Sequence, residues 1–151
     1  MFHDSDIFRQ LSLAERLARV SRLWKMAADR ELAPLGLTHP RWTALWKLQR
    51  LGDHISQKQL ACALELELPS LMRTLSQLEE QALITRHSCE NDKRTRIVSL
   101  TEQGKLLLAQ MEKRIFEVRN QVLKDVAPQE LELLSTLLEK IAENTLNILD
   151  N

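Results

Sequence analysis

The stretch Asn91-Asp92-Lys93-Arg94-Thr95-Arg96-Ile97-Val98-Ser99-Leu100-Thr101 decides how the rest of the chain is read. A charged turn runs into an alternation in which Ile97, Ser99 and Thr101 face one way and Val98 and Leu100 the other. That period of two predicts a hairpin that lays one face on a core and pushes a basic tip into solvent. A guanidinium at such a tip suits the minor groove of duplex DNA, where narrow A·T tracts concentrate negative potential. Asp92, two residues before Arg94, is read as the carboxylate that aims it. A plain solvated hairpin would show the same residues, so the segment ahead of it has to decide.

That segment predicts a pair of short helices. Ser56-Gln57-Lys58-Gln59 fits a reciprocal capping box, so a helix should start at Ser56 and turn Leu60, Ala61 and Leu64 inward. A brief turn at Glu65-Leu66-Glu67 leads to Pro69, tolerated in a first helical turn because its missing N–H had no partner to lose. From there Leu71, Leu75, Leu78 and Leu83 form an apolar stripe, while Ser70, Arg73, Thr74 and Gln77 are expected on the opposite side. Two helices joined this tightly, the second with a polar edge, form the helix-turn-helix pattern. The basic hairpin Arg86–Val98 then becomes a wing.

Outward from this core the chain reads as helix. A helix is expected from about Ile7 to Leu32 on Leu11, Ala14, Leu17, Ala18, Leu23 and Ala27, ending before Pro34 and Gly36. Another is expected from about Pro40 to Leu51, with Trp42, Leu45, Trp46 and Leu48 buried. Thr101 caps a long helix to about Asp125, and Pro128 opens the last one. There Leu131, Leu134, Leu138, Ile141, Thr145 and Ile148 step by three and four, a coiled-coil-like seam. The expected fold is mainly α with a small β wing, in three parts. Residues 1–35 form an N-terminal dimerisation helix, 36–101 a winged helix-turn-helix lobe, and 102–151 C-terminal dimerisation helices. The outer helices carry more apolar residues than one small core can absorb, which points to a homodimer, with an intramolecular helical subdomain as the alternative.

Composition narrows the function classes. Across 151 residues 28% are charged and 44% hydrophobic, which suits an ordinary globular domain. No apolar run approaches the roughly 20 residues a bilayer requires, and Met1 to Asp6 shows no secretory pattern, so a cytoplasmic protein is expected. Net charge is zero, from 21 basic and 21 acidic residues. Residues 1–40 carry +1, 41–100 carry +2 and 101–151 carry −3. Binding to nucleic acid must therefore rest on a few well-placed cations. No nucleophile–base pair, carboxylate dyad or phosphate loop stands out, so neither catalysis nor a cofactor is expected.

Taken together, Arg22-Leu23-Trp24, Leu35-Gly36-Leu37-Thr38 with Trp42, Gln59-Leu60-Ala61, Pro69-Ser70-Leu71-Met72-Arg73-Thr74-Leu75, Gln77-Leu78-Glu79-Glu80, and Asp92-x-Arg94 with Leu100-Thr101 resemble the MarR family of transcription regulators, closest to its SlyA-like branch. The resemblance runs from about Leu17 to Ile148. It implies a homodimer whose terminal helices interlock and whose paired winged helices straddle a pseudo-palindromic DNA site, acting as repressor or activator through promoter occupancy. Relatives usually carry glycine where this chain has Glu65 and Ala82. If either position is left-handed, its side chain costs on the order of 1 kcal/mol.

The expected DNA-contacting residues are Ser56, Pro69, Ser70, Arg73, Thr74, Gln77, Arg86, Asp92, Lys93, Arg94 and Arg96. Arg73 has the reach for guanine O6/N7 or a phosphate. The resemblance further implies a small aromatic carboxylate effector held by Arg22, Thr38, His39, Trp42 and Arg73, where a guanidinium or hydroxyl meets an apolar wall. Cys62 is expected to be a buried thiol, and Cys89 to lie near Arg86 and Arg94, where a cation would favour its thiolate. His87 and Cys89 lack further ligands for a metal. The competing function is a helical protein–protein adaptor that uses the basic wing for docking.

Overall fold

The computed structural model describes residues 5–151. The first four residues of the expected N-terminal dimerisation segment, and most of the stretch read for a secretory signal, lie outside the described residues. The chain divides into two compact units, one ending at Val118 and the other spanning Arg119–Asn151.

The first unit begins with α1 (Ser5–Gln10) and α2 (Leu13–Leu32). The single helix expected from Ile7 is broken at Leu11-Ser12, because Ser12 restarts it with a capping box. Glu15 N donates to Ser12 Oγ at 3.2 Å and Ser12 N donates to Glu15 Oε1 at 3.1 Å. That backbone bond holds the Glu15 carboxyl below its ordinary value. A 3₁₀ turn at Ala33–Leu35, closed by Gly36 at φ 76°, leads to α3 (His39–Arg50).

The paired helices form as expected. α4 (Gln57–Leu64) starts on the Ser56 capping box, with Gln59 N donating to Ser56 Oγ at 3.1 Å and Ser56 N to Gln59 Oε1 at 2.9 Å. α5 (Leu68–Glu80) carries Pro69 in its first turn. Glu65 ends α4 at φ 55° and Ala82 follows α5 at φ 60°. Both positions where relatives usually place glycine are therefore left-handed, and the side chains there are strained.

Three antiparallel strands complete the lobe, in the order β1-β3-β2. The hairpin is β2 (Ile84–Ser88) and β3 (Arg96–Leu100), with Ile84 opposite Leu100 and Ser88 opposite Arg96. The third strand, β1 (Ile55–Ser56), was not expected; it pairs Ile55 with Val98. Asp53 anchors that edge, its Oδ1 accepting from Leu100 N at 2.9 Å. Leu45, Leu48, Leu60, Leu71, Leu75, Leu78, Ile84 and Val98 fill the core.

That core crosses the expected boundaries at 35/36 and 101/102, since it also takes Ala28 and Leu32 from α2 and Leu108 and Met111 from α6 (Glu102–Val122). Thr101 caps α6 by accepting from Gly104 N at 3.0 Å, and donates to Ala82 O at 2.7 Å. A side chain on Gly104 would put its Cβ 2.1 Å from Leu83 O, so the helix docks there only through glycine.

The second unit contains α7 (Pro128–Leu149), which has no buried residue. Its opening is held by Ala127 N donating to Glu130 Oε1 at 2.9 Å. Leu134, Leu138, Ile141 and Ile148 of the expected seam are exposed. Among the described residues no helix is long and apolar enough to cross a membrane.

Candidate nucleic-acid interface

The outer surface of α5 follows from where its apolar residues fall. Leu71, Thr74, Leu75 and Leu78 are buried, leaving Pro69, Ser70, Met72 and Arg73 exposed on the first two turns. Thr74 is thus not on the open face where it was expected. It lies three residues from Leu71 and four from Leu78, within the apolar stripe, and its hydroxyl turns back toward Ser70 O at 3.4 Å. Gln77 is half-buried, with its Oε1 accepting from Arg41 Nε of α3 at 3.2 Å. The side chain of Arg73 makes no hydrogen bond or ion pair among the described residues.

Arg86, expected among the DNA-contacting residues, points into the lobe. The register puts it on the same sheet face as Ile84 and Val98, the inward one. Its side chain is 13% exposed and bridges three elements. Nη2 donates to Glu79 Oε1 at 3.1 Å and to Ser76 Oγ at 3.2 Å, and Nη1 to Gln57 Oε1 at 3.5 Å. Its backbone N–H adds a bond to Glu79 Oε2 at 3.1 Å. The guanidinium and its hydrogen bond hold the Glu79 carboxyl below the ordinary carboxylate range, with Arg96 adding to the effect through space. Arg86 therefore fastens the wing to α5 and α4. Alternation from Ile84 implies this direction, while the partners Gln57, Ser76 and Glu79 carry no local signal that marks them.

At the wing tip the carboxylate of Asp92 holds backbone rather than guanidinium. Oδ1 accepts from Arg94 N at 3.0 Å, Oδ2 from Thr95 Oγ1 at 3.1 Å, and Asp92 O from Thr95 N at 3.0 Å. This is a side chain shaping its own turn. Lys93 and Arg94 are exposed and unpaired among the described residues, and Arg96 is exposed at the start of β3. Asp92 aims the loop, and the loop presents the cations. Ser56, also expected at the interface, is half-buried and committed to its cap.

Of the five residues expected around an aromatic carboxylate, His39 and Trp42 are brought together on Asp29 of α2, while Arg22, Thr38 and Arg73 are exposed. Trp42 is buried in the core and its Nε1 donates to Asp29 Oδ1 at 2.7 Å. His39 Nδ1 lies 2.7 Å from the same oxygen, edge-on to Trp42 with ring centroids 5.4 Å apart. A carboxylate of the protein thus already occupies these polar groups. A concavity of about 390 Å³ lined by Leu35, Gln81, Leu83, Gln103, Leu106, Leu107 and Gln110 contains none of the five.

Cys62 is exposed on α4, correcting the expectation of a buried thiol; the helix turns Leu60 and Ala61 inward and Cys62 out. Cys89 is half-buried, and its backbone N–H closes the hairpin on Thr95 O at 2.8 Å. His87 meets the ring of His54 edge-on at 5.9 Å, and His54 Nδ1 bonds Ser99 Oγ. No group of three or more potential metal ligands gathers among the described residues.

The fold that carries this helix and hairpin recurs in other proteins. The sequence profile described as "MarR family" matches residues 37–95, from the start of the lobe into the wing. The crystal structure of the transcriptional regulator PA3341 is 35% identical, covers 90% of this chain and 99% of its own, and superposes with a TM-score of 0.83. The chain belongs to the MarR family. Family structures repeat the fold. A MarR transcriptional regulator from Methanosarcina mazei Go1 is 24% identical over 90% of this chain and 97% of its own, with a TM-score of 0.80. A mutant of MarR from E. coli, crystallised in complex with operator DNA, is 25% identical over 85% of this chain and 92% of its own, with a TM-score of 0.78. This MarR-family regulator shares their winged-helix architecture.

Proposed function

We propose that this MarR-family regulator is a SlyA-like homodimer that binds a pseudo-palindromic DNA site, with α5 in the major groove and the wing tip over the backbone and minor groove. The observation that carries the reading is the set of unpaired cations on one lobe. Arg73 sits on the open face of α5, and Lys93 and Arg94 sit on a loop preset by Asp92. In a protein of zero net charge, cations left without carboxylate partners are suited to phosphates and base edges. Pro69 and Ser70 approach the groove beside Arg73, and Arg96 supports the wing near its base. Thr74, Gln77, Ser56 and Arg86 serve the interface by positioning it.

Pairing is supported by the apolar seam of α7 and by Leu13, Leu17, Val20, Leu23, Trp24 and Met26 of α2, all exposed in the single chain. A second copy covers such faces, and two-fold symmetry brings two α5 helices to successive major grooves about 34 Å apart. Control of transcription then follows from promoter occupancy, by blocking polymerase or displacing another bound protein.

Arg73→Ala and Arg94→Ala should each lose roughly 1–3 kcal/mol of DNA affinity with the dimer intact. A titration at fixed salt, on duplexes selected from a random pool, reads this directly. Wild-type affinity in both variants would refute the assignment. Affinity that does not fall with salt would favour a protein-docking wing instead.

A further inference from the structure

The open face of α5 is poorer in polar groups than its sequence suggests. Thr74 is buried, and Gln77 has its carbonyl oxygen held by Arg41. Ser76 donates to Met72 O at 3.0 Å and accepts from Arg86, and Glu79 is paired with Arg86. What remains on the first two turns is Pro69, Ser70, Met72 and Arg73. Met72 is 43% exposed and is the one long apolar side chain of that set. It lies next to Arg73 and one turn before Ser76, on the side of the helix that faces the wing clamp.

A flexible thioether in that place has one base-edge feature to match it in the major groove. The thioether donates no hydrogen bond and accepts only weakly, so the groove's polar edges gain little from it, whereas the C5-methyl of thymine is apolar and projects into the groove. The unbranched side chain adapts its rotamers to reach that methyl. Resting on the DNA-binding reading above, we infer that Met72 is a specificity-determining residue that selects a thymine in each half-site through its 5-methyl group. Arg73 supplies the neighbouring polar contact, and Ser76, held by Arg86, fixes the helix turn from which Met72 projects.

Deoxyuridine differs from thymidine only by lacking that methyl, so it isolates the contact. The full-length protein first selects its best duplex from a random pool. Each thymine of the winner is then replaced singly by deoxyuridine, and affinity is measured by fluorescence anisotropy at constant salt for wild type and Met72→Ala. Met72 is exposed, so the substitution leaves the core untouched. For the wild type, one thymine per half-site should show about a fourfold loss on replacement, the scale of one buried methyl group. In Met72→Ala the same replacement should cost nothing. Binding that tolerates deoxyuridine everywhere, or a penalty that persists in Met72→Ala, would overturn the inference and leave DNA binding standing. Enrichment of no duplex at all would overturn both.

Discussion

In the lobe that holds α3, α4 and α5, apolar stripes vanish into a single core, with Leu45, Leu60, Leu75 and Leu78 at or below 1% exposure. In α7 a similar spacing of Leu134, Leu138 and Ile141 leaves each of them more than 40% exposed. The periodicity of three and four is common to both, so the pattern alone does not say what covers a stripe. The lobe brings its own cover, because short turns fold α4 and α5 back on α3. The single chain leaves the α7 seam open, which is the arrangement expected of half an interface.

Substitutions in the two regions should behave differently. The largest effect is expected at Leu75, where Leu75→Ala should cost about 2–5 kcal/mol in urea unfolding whatever the protein concentration. Leu138→Lys should instead lower the midpoint in a concentration-dependent way and shift sedimentation toward a single chain. If Leu138→Lys left the assembly unchanged, the α7 seam would not be an interface. Gly104→Ala comes next, because its Cβ would meet Leu83 O and the helix would have to move. A loss of about 1–3 kcal/mol is expected; an unchanged melting temperature would show that α6 is not docked so closely.

Smaller gains should come from relieving strain. Glu65→Gly and Ala82→Gly each place a residue indifferent to positive φ at a left-handed position. Each should raise stability by about 0.5–1 kcal/mol, net of the greater freedom glycine has when unfolded. No gain in thermal unfolding would mean that the local turns relax around the side chain. The smallest effect concerns pH. The Glu79 carboxyl is depressed in the folded state, so its contribution is complete above the ordinary value of 4.5 and is lost as pH falls through the lower folded value. Glu79→Gln should flatten the acid limb of stability by less than about 1 kcal/mol, the scale of a solvent-screened pair. An unaltered acid limb would remove the Arg86–Glu79 clamp from the energetics.

Much of the lobe was legible because its signals are local. The Ser56–Gln59 cap, Pro69 in a first turn and the Thr101 cap each need only a few adjacent residues, and all three are observed. The Ser12–Glu15 cap is equally local, but apolar spacing continues on both sides of it and reads as one helix where two stand. β1 is two residues long and has no periodicity to display. The strain at Glu65 and Ala82 was visible as an exchange for glycine and needed the backbone only for confirmation.

The interface was less legible, because its hydrogen bonds join distant residues. Arg41 and Gln77 are 36 positions apart, and Arg86 and Gln57 are 29 apart. No local pattern announces such partners. The inward direction of Arg86 and the burial of Thr74 were nonetheless implied by period two and by helical spacing. Position in the period, more than residue type, decides which side chain faces outward. Asp29 shows the same lesson at His39 and Trp42, whose polar groups meet a carboxylate supplied by α2.

In the proposed complex two copies present the unpaired cations of their lobes to one duplex. Sedimentation equilibrium of the full chain with its selected duplex, repeated across a salt series, tests it most directly. Two chains per duplex are expected, with an association constant that falls steeply as salt rises. One chain per duplex, or no association even at low ionic strength, would contradict it.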